Sequence, residues 1–347
     1  MANNTTAIVE MSKDDNTYVR PQLELIDSTL PYFRKAIDVL DISSSSTPFF
    51  IVNFGSVHES NSIYVMKMII QYLKEAKKID NEEQIIAVHN GLPTNDWTSL
   101  FELTSEENSY SNAAYGQYFD EQCLPPNTIA IGFSIASLHW LSRKPCNVSH
   151  HCVANFVQDK EEREIFKHQS KLDLTSFLKH RSTELVPGGV LILNIPCVND
   201  GNSLGFDNCV HLLYKCAKSI THIQQVLLDH MIPSYYRSFS ECVDDELFAR
   251  CSFKLIKDEF NKTNIALMDQ DQNGNVSVDK FSKAVTSFMR SWLESSLKQA
   301  LEINKQSTEE INKILDQFWT LYEQEIKANP HEYIACAYFT HLILKKV

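Results

Sequence analysis

The sequence predicts an α/β fold: a doubly wound, mostly parallel sheet with helices on both faces and a helical cap in the second half. Three observations predict it. Short apolar runs recur at Phe49–Val52, Ile85–Val88, within Thr128–Leu141, and at Val190–Pro196. Such runs do not alternate with polar residues, which marks strands covered on both faces. Between them lie segments with apolar residues at helical spacing, so strand and helix alternate four times in the first 200 residues. Two late strand-like segments, Cys251–Phe260 and Tyr333–Lys346, bracket a helical stretch and complete the sheet.

The elements follow in order. Residues 1–17 are polar and read as a flexible N-terminus. Leu23, Leu25, Ile26, Leu30, Phe33, Ile37 and Leu40 give an amphipathic helix over 22–40 despite Pro31, and Ser43–Thr47 is a loop. After the first strand, Ile63, Val65, Met66, Ile69, Ile70 and Leu73 predict a helix over 62–78. Ile85–Asn90 is the second strand, closed by Gly91 and Pro93. A long helix is predicted from Glu161 to Leu185, ended by Pro187-Gly188-Gly189 before the fourth strand. Further helices are predicted over 206–231, 240–250, 278–302 and 309–327. In a doubly wound sheet ligands sit beyond the carboxyl ends of the strands. Those ends are Asn53–Ser56, Asn90–Pro93, Phe133–His139 and Pro196–Asn199.

Composition narrows the function. The formal net charge is -12, which argues against nucleic acid and anionic membranes as partners. Nine cysteines are scattered without a CxxC pair, as expected of reduced, mostly buried thiols in a cytoplasmic protein. The N-terminus has no basic region followed by an apolar run, and no segment reaches the roughly 18 apolar residues of a membrane span.

Two clusters invite a metal. Asp269–Lys280 matches a calcium loop at Asp269, Asp271, Asn273, Gly274 and Ser277, but Lys280 stands where a bidentate Glu is required. It reads as a polar surface loop. Cys146, His150, His151 and Cys152 lack the paired spacing of a zinc site and read as a loop with soluble histidines. No metal site is predicted. GxSxG, HExxH and P-loop motifs are absent, and Asp173 and Glu184 read as a solvated helix face.

The strand-end segments carry a resemblance. HNGLPTNDWTSLF, His89–Phe101, resembles the ND-LP-x-ND-F-N-x-LF segment of the SABATH family of methyltransferases, and SLHWLSRKP, Ser137–Pro145, resembles its SLHWLS-x-VP. Asp173–Ile195 is similar to its FL-x-x-R-x-x-EL-x-x-GG helix and strand, and NTYVRPQ, Asn16–Gln22, to its N-terminal NSY run. The match is good over 14–200 and weak beyond.

The resemblance implies a Rossmann-like methyltransferase sheet that binds S-adenosyl-L-methionine and methylates the carboxylate of a small organic acid, or sometimes a ring nitrogen. Residues 18–200 would form the cofactor-binding core, 201–250 and 278–330 the cap, and 251–265 and 332–346 the late strands. A homodimer is implied by the resemblance alone. No catalytic acid, base or metal is needed, because a carboxylate is already ionised at neutral pH and the protein has only to position it.

Site residues carry over unevenly. On the cofactor side the resemblance implies Tyr18, Asn53, Gly55, Ser56, Glu59, Asn61, Asn90, Gly91, Leu92, Ala113 and Ala114. Asn53 replaces an acid, and Gly91 replaces the acid that holds the ribose hydroxyls. Ala113 and Ala114 stand for the serine and phenylalanine of GSFYG. His58, Glu59 or Asn90 would take over lost contacts. On the substrate side Trp140 matches the indole donor to the carboxylate, with His139 before it. The tyrosine of that motif is Ala136, and the N-terminal glutamine falls on Leu25, with Gln22 one turn earlier as a stand-in. Two readings follow: a divergent active carboxyl methyltransferase, which is preferred, or a fold relative that binds small molecules or partners without turnover.

Overall fold

The computed structural model describes residues 19–42, 48–55, 59–80, 82–93, 95, 97–105, 109–118, 120–220, 226, 233–265 and 277–347, with backbone alone for 19–24 and 59–60. Seven strands form one sheet in the order β3-β2-β1-β4-β5-β7-β6. They are β1 Phe49–Phe54, β2 Ile85–Gly91, β3 Ser111–Gly116, β4 Ile129–Ile135, β5 Leu185–Cys197, β6 Phe253–Asn264 and β7 Cys336–Lys346. The first five pair in parallel, and β7 runs antiparallel to both β5 and β6. The order reverses between β1 and β4, so their carboxyl ends flank a crevice where a doubly wound sheet takes its ligand.

Helices cover both faces. On one, α1 Val19–Val39 and α2 Glu59–Glu75 pack Phe33, Ile37, Met66 and Ile69 against Ile51, Ile131 and Ile192. On the other, α4 Lys160–Glu184 packs Phe177 and Leu178 against Phe54 and Leu191. A short helix, α3 Trp97–Leu103, links β2 to β3. The cap is a separate apolar cluster. In it α5 Asp207–Ser219, α8 Val278–Ile303 and α9 Thr308–Ala328 bury Leu213, Phe281, Met289, Phe318 and Tyr322 together.

Several sequence expectations need correction. The stretch Pro187-Gly188-Gly189 does not separate helix from strand: β5 begins at Leu185, and the glycines lie in a register irregularity inside it. Gly188 is required there. Its φ is +82°, its carbonyl accepts the Asp41 N–H at 3.1 Å, and a Cβ would lie 1.7 Å from the Asp41 oxygen. The helix predicted over 240–250 is two short helices, α6 Phe239–Cys242 and α7 Asp245–Arg250, because Ser238 and Asp244 each cap a new start. Of the helix predicted over 206–231, α5 ends at Ser219, and most of the remainder lies outside the described residues. So do residues 1–17, the Ser43–Thr47 loop and the calcium-like residues Asp269–Gly274.

Asp173 and Glu184 are not a solvated face. Asp173 is 9% exposed and accepts from the Ser142 N–H and hydroxyl and from Gln169 Nε2. Glu184 is fully buried against Arg181. Nor is the Cys146–Cys152 loop merely soluble: His151 and Cys152 are buried, and His151 bonds His211 at 3.0 Å. Among the described residues no group of three or more His, Cys, Asp or Glu side chains could hold a metal, and no helix is long and apolar enough to cross a membrane.

Buried imidazoles make the fold acid-sensitive. Burial holds His139 down to about 3 and both His151 and His341 to about 4, and it lowers His89 as well. An unfolded chain takes up these protons near pH 6.5. Between the folded and unfolded values the unfolded state binds more protons, so stability rises with pH across that window. Moving from pH 7 to pH 5 is expected to cost on the order of 1–2 kcal/mol for each of the first three. Urea midpoints at the two pH values check this; equal midpoints would contradict it.

Candidate active site

The loops after β1, β2 and β4 are stitched into one edge. Gly55 follows β1 with φ +92°, a left-handed conformation that favours glycine. Its N–H donates to the Asn90 carbonyl at 3.0 Å, and its carbonyl accepts from the Ser137 hydroxyl at 3.1 Å. A Cβ on Gly55 would lie 2.4 Å from Ser137 Oγ. Asn90 ends β2 fully buried and donates to the Tyr115 and Gln117 carbonyls at 3.2 and 2.8 Å, which fixes the end of β3 beside it. With its nitrogen engaged, the Asn90 Oδ1 is buried with no hydrogen-bond partner among the described residues, as is Ser134 Oγ on β4.

The structure brings Asn53, Gly55, Asn90, Gly91 and Leu92 to this edge. Asn53 is 8% exposed and donates to Ser62 at 2.8 Å. Asn61 begins the described side chains of α2, next to Ser62. Ala113 and Ala114 pair with Val88 and His89, so they lie back from the Gly91–Gly116 edge of the sheet. Tyr18, Ser56 and His58 lie outside the described residues, as do the side chains of Gln22 and Glu59. No carboxylate stands at Gly91, where backbone alone closes β2.

Beyond β4, Ala136 adopts φ +54° and donates its N–H to the Asn194 carbonyl at 2.9 Å. That non-glycine strain is held at the point where the chain turns into Ser137-Leu138-His139-Trp140. Residues 233–237 form a strap over this turn. The Leu141 N–H reaches the Pro233 carbonyl, the Tyr235 N–H reaches the His139 carbonyl, and the Val198 N–H reaches the Arg237 carbonyl. The buried Arg237 guanidinium adds bonds to the Leu138 and Ser170 carbonyls. The strap thereby ties the ends of β4 and β5 to α4.

His139 and Trp140 line a cavity of about 180 Å³ with Leu25, Ala136, Pro196, Phe206, Tyr236, Thr263, Asn264, Ile265, Phe288, Trp292, Ala337 and Phe339. The rings of Trp140 and Trp292 meet edge to face at 6.4 Å, and His139 lies against Trp140 and Tyr236 at 4.6 and 4.9 Å. Among the described residues no Lys, Arg, Asp or Glu lines it. His139 stays neutral at physiological pH because burial, helped by the nearby Arg237 charge, resists protonation. Leu25 takes part in the lining, so the position matched to an amide donor offers only a methyl-bearing surface. Sequence reasoning missed the wall from β6, α8 and β7. Its one available signal was the aromatic density of the second half, which also describes the cap's own core.

The family of SAM dependent carboxyl methyltransferases matches residues 10–344. The chain belongs to this family, and S-adenosylmethionine is its cofactor. A probable S-adenosylmethionine-dependent methyltransferase of Arabidopsis thaliana is 31% identical over 259 residues, 66% of this chain and 72% of that one. The methyltransferase FUS9 of Gibberella moniliformis is 25% identical over 344 residues, 91% of each chain. The structure of loganic acid methyltransferase with SAH has the same fold, with a TM-score of 0.77 at 19% identity, covering 97% of this chain and 98% of that one.

Proposed function

We propose that this protein transfers a methyl group from S-adenosylmethionine to the carboxylate of a small, largely apolar acid about one ring in size. The observation that carries the reading is the uncharged cavity bordered by Trp140 and His139, opening beside the carboxyl end of β4.

The residues at the cofactor edge fit the ligand. Gly55 exposes backbone where no Cβ has room, and Asn90 Oδ1 and Ser134 Oγ are buried polar atoms with no hydrogen-bond partner among the described residues. Asn53, Gly55, Asn90, Gly91 and Leu92 would hold the cofactor, with neutral amide oxygens in place of the acids of relatives. Bound S-adenosylmethionine supplies a methyl group on a cationic sulfur.

The remaining work falls to this chain. Trp140 would donate its indole N–H to one carboxylate oxygen and leave the other free to attack. Among the described residues the lining offers the carboxylate no cation to quench it, and a neutral His139 adds none. A carboxylate stripped of water in such a pocket is a better nucleophile than a hydrated one. The volume has room for a ring: an engineered apolar cavity of about 150 Å³ takes up benzene, and the described part of this half-open one is about 180 Å³. The cap residues Phe288 and Trp292 would exclude water.

Trp140→Phe tests the reading. It keeps the ring and removes the N–H. A hydrogen bond to a charged group is worth ~1.5–3 kcal/mol, so kcat/KM for the acid should fall roughly 10- to 100-fold. Affinity for S-adenosylhomocysteine should stay within error. An unchanged kcat/KM would remove the indole from the mechanism.

A further inference from the structure

Four polar side chains from four elements form an unbroken hydrogen-bond chain behind the cofactor edge. Asn53 Nδ2 of β1 lies 2.8 Å from Ser62 Oγ of α2, and Ser62 Oγ lies 2.7 Å from His89 Nδ1 of β2. His89 Nε2 then lies 3.1 Å from Asn112 Oδ1 of β3. His89 is fully buried, and Ser62 and Asn53 nearly so.

With the Asn112 and Asn53 amides placed as they are, each bond takes one direction. Asn112 offers an oxygen, so His89 Nε2 must carry the hydrogen. A neutral imidazole has one N–H, which makes Nδ1 an acceptor. Ser62 therefore gives its single hydrogen to Nδ1, and its oxygen accepts from Asn53 Nδ2. Burial keeps His89 neutral by lowering its affinity for a second proton. The chain ends in the Asn53 carboxamide. Its nitrogen is committed, and among the described residues no donor reaches its oxygen. That oxygen belongs to the last turn of β1 before Gly55, at the strand-order reversal.

We propose that Asn112, His89 and Ser62 are positioning residues that lock the Asn53 carboxamide with its oxygen presented as an acceptor to the ammonium group of S-adenosylmethionine. A free carboxamide turns either end outward, and the wrong end would set an N–H against a cation. The relay removes that choice. It lets a neutral side chain do what a carboxylate would do by charge. The proposal rests on the family's cofactor and is independent of the acid assigned above.

The relay also has a reversed state. Asn53→Asp cannot donate to Ser62. Ser62 must then donate to Asp and accept from His89, which moves the imidazole hydrogen to Nδ1 and turns the Asn112 amide. The tautomer of His89 thus reports the direction of the chain, and a loss of affinity confined to a probe with the ammonium group is the readout that a merely structural role would not move.

The experiment combines nitrogen-15 NMR of the imidazoles with calorimetry against two probes. S-adenosylhomocysteine carries the ammonium group, and methylthioadenosine lacks it. The wild type should show the Nε2–H tautomer at His89, and Asn53→Asp the Nδ1–H tautomer. Ser62→Ala and His89→Gln should each weaken S-adenosylhomocysteine by roughly 10-fold, about the worth of one hydrogen bond to a charged group. Both should leave methylthioadenosine within a factor of about two, well below the tenfold step of one such bond. An Nδ1–H tautomer in the wild type, an unchanged affinity for S-adenosylhomocysteine, or equal losses for both probes would overturn the relay. Absence of any binding by the wild type would overturn the relay and the cofactor assignment together.

Discussion

Arg181→Ala is expected to destabilise the fold by ~3–5 kcal/mol, the usual cost of stranding one member of a buried ion pair. Arg181 and Glu184 are both 0% exposed, with Nε 2.6 Å from Oε2. The guanidinium also donates to the Glu121 carbonyl at 2.7 Å and lies 4.0 Å over the Phe54 ring of β1. Glu184 in turn accepts the N–H groups of Cys123 and Leu124. Removing Arg181 therefore strands a carboxylate in the core, frees the segment leading into β4, and opens a void beside Phe54 and Phe177. Urea denaturation checks it through the midpoint. Arg181→Met with Glu184→Leu should recover much of the loss, because apolar replacement of both charges is often neutral. A single substitution costing under about 1 kcal/mol, the scale of an exposed pair, would show that the pair is not held dry.

Gly55→Ala is expected to weaken S-adenosylhomocysteine binding by ~10- to 100-fold, as a sum of two costs. A side chain at this left-handed φ costs roughly 1–2 kcal/mol. Its Cβ would also lie 2.4 Å from Ser137 Oγ and 2.5 Å from Ser137 Cβ, so the turn after β4 must move. That movement breaks the Ser137 bond to the Gly55 carbonyl and disturbs the edge shared with Asn90. Ser137→Gly in the same chain should return part of the affinity, since it relieves the collision and leaves the backbone strain. Calorimetry on the wild type and the two variants separates the terms. Equal affinity for Gly55→Ala and wild type would place the cofactor elsewhere.

The parallel core was legible in the sequence because strands buried on both faces must be apolar throughout: Phe49–Phe54 and Ile129–Ile135 are almost entirely buried. The cap helices were legible for the complementary reason, since each hides one stripe, such as Phe281, Val285 and Met289 of α8. What escaped lacked either signal. The edge strand β3, Ser111–Gly116, is half-exposed and built from Ser, Asn, Ala and Gly with one aromatic, Tyr115, so neither period is visible in it. Asp173 and Glu184 read as surface residues because, beside the local Gln169 and Arg181, the groups that bury them are far away in sequence: Ser142 for the first, Cys123 and Leu124 for the second.

The candidate site followed the same logic. Motif resemblance located Asn53, Gly55, Asn90, His139 and Trp140, which share one edge or one cavity. It had no means of finding the relay, whose members come from β1, α2, β2 and β3 and meet only in three dimensions. It also read the replaced acid at position 53 as a loss. The hydrogen bond to Ser62, which is itself bonded to His89, gives that amide a defined orientation that composition could not reveal.

Methyl transfer to a carboxylate oxygen is measured by incubating the protein with S-adenosylmethionine labelled in the methyl group and a panel of one-ring carboxylic acids, each beside its primary amide. Labelled methyl ester is expected from at least one acid and none from the matched amides, which lack the ionised oxygen. Label transferred to a nitrogen, or no transfer to any acid by protein that binds S-adenosylhomocysteine, would contradict it.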